Sequence, residues 1–114
     1  MSAAPAIVEP QLQVPDWAPE YVLTFDFETY WDDDYLLTKL GTSDYVRNEK
    51  FEVIGVGVGD GEGERVWMTE AEFREFCKTV PWDRTAVKAH HAHFEGLILS
   101  VHFDAHPAFF FCTL

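Results

Sequence analysis

The sequence predicts one α/β domain built on a mixed β-sheet. Three strand patterns come first along the chain, and helix, strand, helix and strand patterns follow them. Strands in direct succession indicate antiparallel pairing, whereas strands that alternate with helices indicate parallel pairing through crossover connections. A chain of 114 residues is long enough to bury a single hydrophobic core, and we expect one domain.

Residues 1–20 are predicted to be a lead-in segment, and the domain is expected to span residues 21–114. Four prolines with small residues between them occupy the lead-in. Because proline lacks a backbone N–H and restricts the residue before it, this segment cannot hold a regular element.

The first predicted strand, residues 22–29, carries two acids on one face. Asp26 and Glu28 are two positions apart, and alternate side chains of a strand point to the same side of the sheet. Like charges this close repel, so such a strand usually has a cation beside it, most simply a divalent metal ion with oxygen ligands. The alternative is a solvated strand face on which each acid needs no partner.

An acidic turn follows the first strand at residues 32–34, and a helical turn is predicted over residues 35–40, ended by Gly41. The three aspartates lack the alternate spacing and the central glycine of a calcium loop, which favours a solvated turn.

The second predicted strand, residues 51–59, alternates glycine with valine and isoleucine. Its bare face is expected to let another backbone or a helix approach closely. Asp60, Gly61 and Gly63 predict a hairpin turn into a third strand at residues 65–68.

The second half of the chain has two helical patterns. A capping box at residues 69–72 begins a helix that runs to residue 80, before Pro81. After a short buried strand at 85–90, a second helix is predicted over 94–103, with Glu95 in its first turn, where the helix dipole favours a negative charge. The last strand, 107–114, is apolar on both faces and is expected to be covered on both sides.

The charge balance limits the classes of function. Twenty acids against eight bases give a net charge of −12, which argues against a module that holds phosphates with its own basic surface. If the chain handles nucleic acid, metal ions or a neighbouring domain are expected to supply positive charge. No apolar run approaches the length of a membrane helix and the start does not resemble a signal peptide, so we expect a cytoplasmic protein.

The histidines and cysteines do not predict a zinc site. His90, His91 and His93 are clustered, but they do not form the paired spacings of structural zinc ligands. Cys77 and Cys112 each sit in an apolar pattern and are expected to be buried thiols in a reducing compartment.

Two segments resemble a known nuclease family. Phe25-Asp26-Phe27-Glu28-Thr29 resembles the first motif of the DEDD 3′ to 5′ exonucleases. Residues 89–96, Ala-His-His-Ala-His-Phe-Glu-Gly, are similar to their second motif, usually written as His-Asn, two residues, then Phe-Asp. Residues 45–57 and 107–114 resemble the proofreading domain of phage and bacterial family A DNA polymerases. The resemblance implies a ribonuclease H-like fold and a bacterial or phage-infected host cell.

The resemblance also implies a reaction and a set of site residues. The family hydrolyses phosphodiester bonds at a single-stranded DNA 3′ end with two metal ions, here Mg²⁺ or Mn²⁺. By resemblance, Asp26 would bridge both ions, Glu28 would bind the first and orient the attacking water, and Glu95 would hold the second. The candidate substrate-binding residues are Thr29, Tyr30, Trp31 and His91.

The family's third motif, a Tyr or His followed by an Asp on a helix after the last strand, has no counterpart in this sequence. The resemblance therefore covers the N-terminal part of the family domain, and the chain alone is expected to be inactive or weakly active. The remainder of a polymerase, or another protein chain, is expected to cover the last strand. The alternative is a catalytically inactive ribonuclease H-like module that binds nucleic acid or protein.

Overall fold

The computed structural model describes residues 18–60 and 62–113. Most of the predicted lead-in lies outside the described residues, as do Gly61 and Leu114. Five strands are present in the described part: β1 (Tyr21–Thr29), β2 (Val53–Gly59), β3 (Arg65–Met68), β4 (Thr85–Ala89) and β5 (Phe109–Cys112). The helices are α1 (Leu37–Leu40), α2 (Thr42–Arg47), α3 (Glu70–Cys77) and α4 (Ala92–His102), with a 3₁₀ turn at Trp82–Arg84.

The predicted mixed α/β sheet is confirmed. The strands lie in the order β3-β2-β1-β4-β5. The pairs β1–β2 and β2–β3 are antiparallel, whereas β1–β4 and β4–β5 are parallel. The strand that carries Asp26 and Glu28 is therefore the central one, with two strands on each side.

Several elements differ from the sequence prediction. Helix α2 was not predicted, because only Tyr45 and Val46 of its six residues are buried and the apolar pattern is too short to show a helical period. The second strand begins at Val53, two residues later than predicted, beside a register shift in its pairing with β1. The last strand is β5 rather than residues 107–114, because the Ala108 N–H bonds to the carbonyls of Trp82 and Thr85 before the strand begins.

The predicted capping box is confirmed at the start of α3. The Thr69 hydroxyl accepts the Glu72 N–H at 3.2 Å, and the Glu72 carboxylate accepts the Thr69 N–H at 2.8 Å. Helix α3 ends at Cys77, short of the predicted residue 80, because the N–H groups of Lys78 and Thr79 bond to carbonyls of the last turn.

Aromatic side chains form the centre of the core. Phe25 and Phe27 of β1 contact the ring of Phe73 edge to face, with centroids 5.2 and 5.4 Å apart. Phe103, just after α4, closes the cluster with its centroid 4.9 Å from that of Phe73. Helices α3 and α4 thus pack on the face of the sheet to which Phe25 and Phe27 point. The alternate residues of β1 point to the other face, where Val22, Asp26 and Glu28 are exposed.

Side chains of the neighbouring strands lie over Gly55 and Gly59 of β2, where the sequence predicted another backbone or a helix. A Cβ atom on Gly55 would lie 1.9 Å from the Trp67 ring, and one on Gly59 would lie 2.1 Å from the Thr24 hydroxyl. Side chains of the neighbouring strands occupy the space above β2, because long residues on a flat strand face lean over the bare backbone beside them.

We expect Phe73→Ala to lower the free energy of unfolding by roughly 3–5 kcal/mol, because it removes a fully buried ring from the aromatic cluster. The same substitution at Phe111, which is 49% exposed, is the matched control and should cost about 1 kcal/mol or less. Urea unfolding followed by circular dichroism measures both values. Similar losses for the two variants would contradict this description of the core.

Candidate functional site

The candidate site is an open cavity of about 470 Å³ that lies against β1 at the carboxyl ends of β4 and β5. Two of the three predicted carboxylates line it, Asp26 from β1 and Glu95 from α4. These acids are 69 positions apart in sequence, so only the fold brings them together. The other residues that line the cavity are Thr24, Phe25, Arg65, Lys88, Ala89, His90 and Thr113.

The parallel pairing of β1 with β4 explains why Asp26 and Glu95 meet. The carboxyl ends of parallel strands lie at the same edge of a sheet, where ligands commonly bind in α/β proteins. Only His90 and His91 separate the end of β4 from α4. The first turn of α4 therefore begins beside β1, and Glu95 faces the cavity from that turn, as the sequence predicted for its position in the helix.

Glu95 is a buried carboxyl, only 6% exposed. Burial raises its pKa from the ordinary 4.5 to about 7, the hydrogen bond from the His91 N–H opposes that rise, and the nearby Asp26 carboxylate adds to it. The His91 N–H donates to Glu95 Oε1 at 3.3 Å. Glu95 therefore changes charge near neutral pH, and a bound cation would compete with a proton for it.

Glu28 shares the strand face of Asp26, as predicted, but it does not line the cavity. The register of β1 with β2 shifts directly after Glu28. Within residues 18–60 and 62–113, no group of three or more His, Cys, Asp or Glu side chains is arranged to hold a metal ion. A metal site formed by Asp26, Glu28 and Glu95 thus stays a prediction. Two of these three residues, Asp26 and Glu95, line the cavity.

Asp26 and Glu95 suit a hard divalent cation. Mg²⁺ is commonly held in proteins by one or two carboxylates, with water and substrate phosphate oxygens as its remaining ligands. Two carboxylates that face one open cavity match that donor set. A third protein ligand is not needed for a site of this kind.

Two cations of the cavity, Arg65 and Lys88, were not predicted from the sequence. Both lie on the same face of the sheet as Asp26, Arg65 on β3 and Lys88 on β4. They contribute positive charge that the sequence predicted only from metal ions or a neighbouring domain. Alternation within each strand shows which residues share a side with Arg65 or with Lys88. Only the strand order and register show that both side chains lie on the same face of the sheet.

A second, apolar groove of about 380 Å³ lies beside the predicted substrate-binding residues. Thr29 and Trp31 line it together with Phe94 of α4, and Trp31 is 63% exposed. Its remaining lining residues are Leu36, Leu37, Thr38 and Tyr45. The groove therefore offers an exposed indole and an apolar wall to a flat ligand.

The other two predicted substrate-binding residues have structural contacts of their own. The Tyr30 hydroxyl donates to Asp32 Oδ2 at 2.8 Å, and its ring stacks on Tyr35. His91 precedes the first residue of α4, with its ring stacked on Phe94 at 5.9 Å. Neither residue is among those that line the groove.

The remaining polar predictions have mixed outcomes. Asp32 accepts the N–H groups of Asp34 and Tyr35, which makes the acidic segment a hydrogen-bonded turn at the surface, as expected. Cys77 is buried, but the expectation for Cys112 was wrong: it is exposed, because it ends the edge strand β5. His90 is also exposed, with Nδ1 3.5 Å from the Thr113 hydroxyl.

Comparisons of the chain with protein-family models, with curated proteins and with solved structures found no match. Its function must therefore be inferred from the residues and their geometry. Among the described residues, no helix has both the length and the apolar character needed to cross a bilayer.

We expect the stability of the chain to fall between about pH 4.5 and 7, through Glu95. Because its pKa is higher in the folded state, the folded chain binds more protons than the unfolded chain over this range, and the free energy of unfolding decreases as the pH rises. The contribution of Glu95 is up to roughly 3 kcal/mol at about 1.4 kcal/mol per pKa unit.

Glu95→Gln should remove this dependence, so that its stability relative to the unmodified chain increases up to pH 7 and then levels off. Glu75→Gln is the control, because Glu75 is exposed on α3, and it should follow the unmodified chain. Chemical unfolding at a series of pH values measures the difference. A stability difference between Glu95→Gln and the unmodified chain that does not vary with pH would overturn the expectation.

Proposed function

We propose that this chain is a 3′ to 5′ exonuclease module, of the proofreading type found in DNA polymerases, that hydrolyses phosphodiester bonds at a single-stranded 3′ end. One observation carries the proposal. Asp26 and Glu95, which come from the two segments that resemble the family's first and second motifs, line one cavity. Sequence resemblance alone does not require two short segments so far apart to meet.

The sheet topology supports the same proposal. The order β3-β2-β1-β4-β5, with two antiparallel pairs followed by two parallel pairs, agrees with the ribonuclease H-like fold that the resemblance implies. In this arrangement the acids of the first motif occupy the central strand, and the second motif begins the helix after the first parallel strand. A fold by itself does not identify a function, so the topology only adds to the evidence of the site.

The chain's own residues have defined parts in the proposed reaction. Asp26 and Glu95 would hold the divalent cation, and Glu95 would give up its proton as the cation binds. Bound Mg²⁺ or Mn²⁺ would activate the attacking water and stabilise the leaving 3′ oxygen. The groove at Thr29, Trp31 and Phe94 would receive the terminal base, and such stacking contributes about 1–3 kcal/mol per base.

A partner for the exposed face of the sheet belongs to this proposal. Trp67 and Phe111 are about half exposed on the face that carries Asp26. We propose that the remainder of a polymerase, or another protein chain, covers the last strand and these exposed rings, and leaves the cavity open to the substrate. That partner would supply the third motif with its Tyr or His and its Asp.

The alternative is a catalytically inactive ribonuclease H-like module that binds nucleic acid or protein. It is favoured by the charges of the cavity, because Arg65 and Lys88 stand beside the two acids and offset their repulsion without a metal ion. The two functions differ in their need for a divalent cation. Metal titration of the chain therefore separates them.

We expect Asp26→Ala to abolish Mn²⁺ binding, because it removes a carboxylate from the cavity. Asp33→Ala is the matched control, since Asp33 is an exposed acid of the turn, and it should bind Mn²⁺ like the unmodified chain. Paramagnetic broadening of backbone NMR signals around residue 95 measures binding. Equal effects of the two substitutions would rule out a metal site at Asp26.

We expect the 114-residue chain by itself to release mononucleotides slowly or not at all, since it lacks the third motif's general base and acid. Incubation of pure protein with a 5′-labelled single-stranded oligonucleotide and Mn²⁺ tests this. Rapid metal-dependent shortening from the 3′ end that Asp26→Ala abolishes would show that the third motif is dispensable.

A further inference from the structure

We propose that Arg65 and Lys88 form a subsite that binds a phosphate group of a single-stranded nucleic acid, next to the acid pair in the cavity. The inference deepens the proposed function and rests on it for the identity of the ligand. It assigns positioning residues to β3 and β4, strands for which the family resemblance implies no role in the site.

The sheet register places the two cations in one row. Arg65 pairs with Gly59, Gly59 with Thr24, and Thr24 with Lys88, so the row crosses β3, β2, β1 and β4. At about 4.8 Å between neighbouring strands, the ends of this row are about 14 Å apart. Two long side chains that approach from opposite ends of the row can therefore hold a group above Thr24. Thr24 lies two residues before Asp26 on β1, on the same face of the sheet.

The glycines of β2 have no side chains, and this leaves space for the side chain of Arg65. Its Nη1 atom lies 3.7 Å from the position that a Cβ atom on Gly57 would take, and the Cβ atom of Asp26 lies 3.8 Å from the same point. The guanidinium group therefore extends across β2 toward the acid. A larger residue at position 57 would restrict this approach.

Neither cation has another role within the described part of the chain. Among the eight bases, Arg65 and Lys88 make no ion pair and no side-chain hydrogen bond with a described residue, although acids outnumber bases by more than two to one. The others each have a partner: Lys39, Arg47, Lys50, Arg74, Lys78 and Arg84. The two bases without a partner are also the two that face the cavity.

A phosphodiester is the ligand chemistry that fits this arrangement. A chain of net charge −12 repels nucleic acid, and two acids in the cavity add to that repulsion at close range. A guanidinium and an ammonium group on either side of Thr24 would reverse the local field, and both groups are common phosphate ligands. The subsite would hold one phosphate of the nucleic acid, and the acid pair would face the next phosphate along the nucleic-acid chain.

The test measures binding of fluorescein-labelled (dT)₈ to the full chain by anisotropy, in Ca²⁺ over a series of KCl concentrations. Arg65→Gln and Lys88→Gln should each weaken binding about three- to tenfold and reduce the slope of log K against log[salt] by about 0.7, as expected for one phosphate contact to a single strand. Lys78→Gln makes the same change of charge directly after α3, at an exposed lysine outside the cavity, and should change neither quantity. Equal losses in all three variants would mean that only net charge matters and would overturn the subsite.

Two further measurements identify the ligand. Thymidine 5′-monophosphate should shift the NMR signals of Thr24 and Gly57, and thymidine without phosphate should not. If thymidine gives the same shifts as the monophosphate, the phosphate assignment is wrong. If inorganic phosphate binds as tightly as (dT)₈, the site binds a free anion rather than a single-stranded nucleic acid, and the proposal is wrong.

The outcomes separate this inference from the proposed function. Binding of (dT)₈ that depends on Arg65 and Lys88, without any Mn²⁺ binding at Asp26, would support the subsite and refute the exonuclease. Intact Mn²⁺ binding with (dT)₈ affinity insensitive to both substitutions would refute the subsite alone. Circular dichroism spectra that match the unmodified chain would show that each variant is folded.

Discussion

The packing of β1 against α3 is the contact on which the rest of the structure depends. Phe25 and Phe27 both insert beside the fully buried ring of Phe73. Because side chains alternate along a strand, burying these two rings forces Asp26 onto the opposite face. A shift of one residue would bury the acids and expose the rings, so the aromatic cluster selects a single register. The position of the candidate site is therefore a consequence of core packing.

The cavity places two acids, Asp26 and Glu95, near two bases, Arg65 and Lys88. The two acids alone would repel each other. A buried carboxyl beside another acid holds its proton to higher pH, which is the behaviour of Glu95. Arg65 and Lys88 reduce the cost of placing Asp26 near it, and they make the cavity accessible to an anion. Groups of opposite charge that face one open space, with a carboxyl that titrates near neutrality, are typical of sites that bind ligands and move protons. A purely structural ion-pair network would bring its charges into direct contact, and no ion pair joins these four side chains in the described part of the chain.

The predictability of each element followed the strength of its local signal. Helix α3 was predicted from its capping box and its apolar period, and β3 was predicted with both of its ends. Helix α2 gave no such signal, because six residues do not complete two turns. The glycines of β2 predict space for another backbone or a helix, but the side chains of Trp67 and Thr24 occupy that space. Which neighbour fills a bare strand face depends on the strand order, and local sequence contains no information about it.

The sequence by itself determined the α/β class, the paired acids on one strand face and the placement of Glu95 in the first turn of a helix. These features depend on periods of two and of about 3.6 residues, which any segment shows without its neighbours. Only the tertiary structure decided that Glu95 meets Asp26, that Glu28 lies outside their cavity, and that Arg65 and Lys88 enter it. Those relations depend on which strands pair and in which direction. They arise from the burial of apolar surface over the whole chain, which brings together residues whose local patterns are independent.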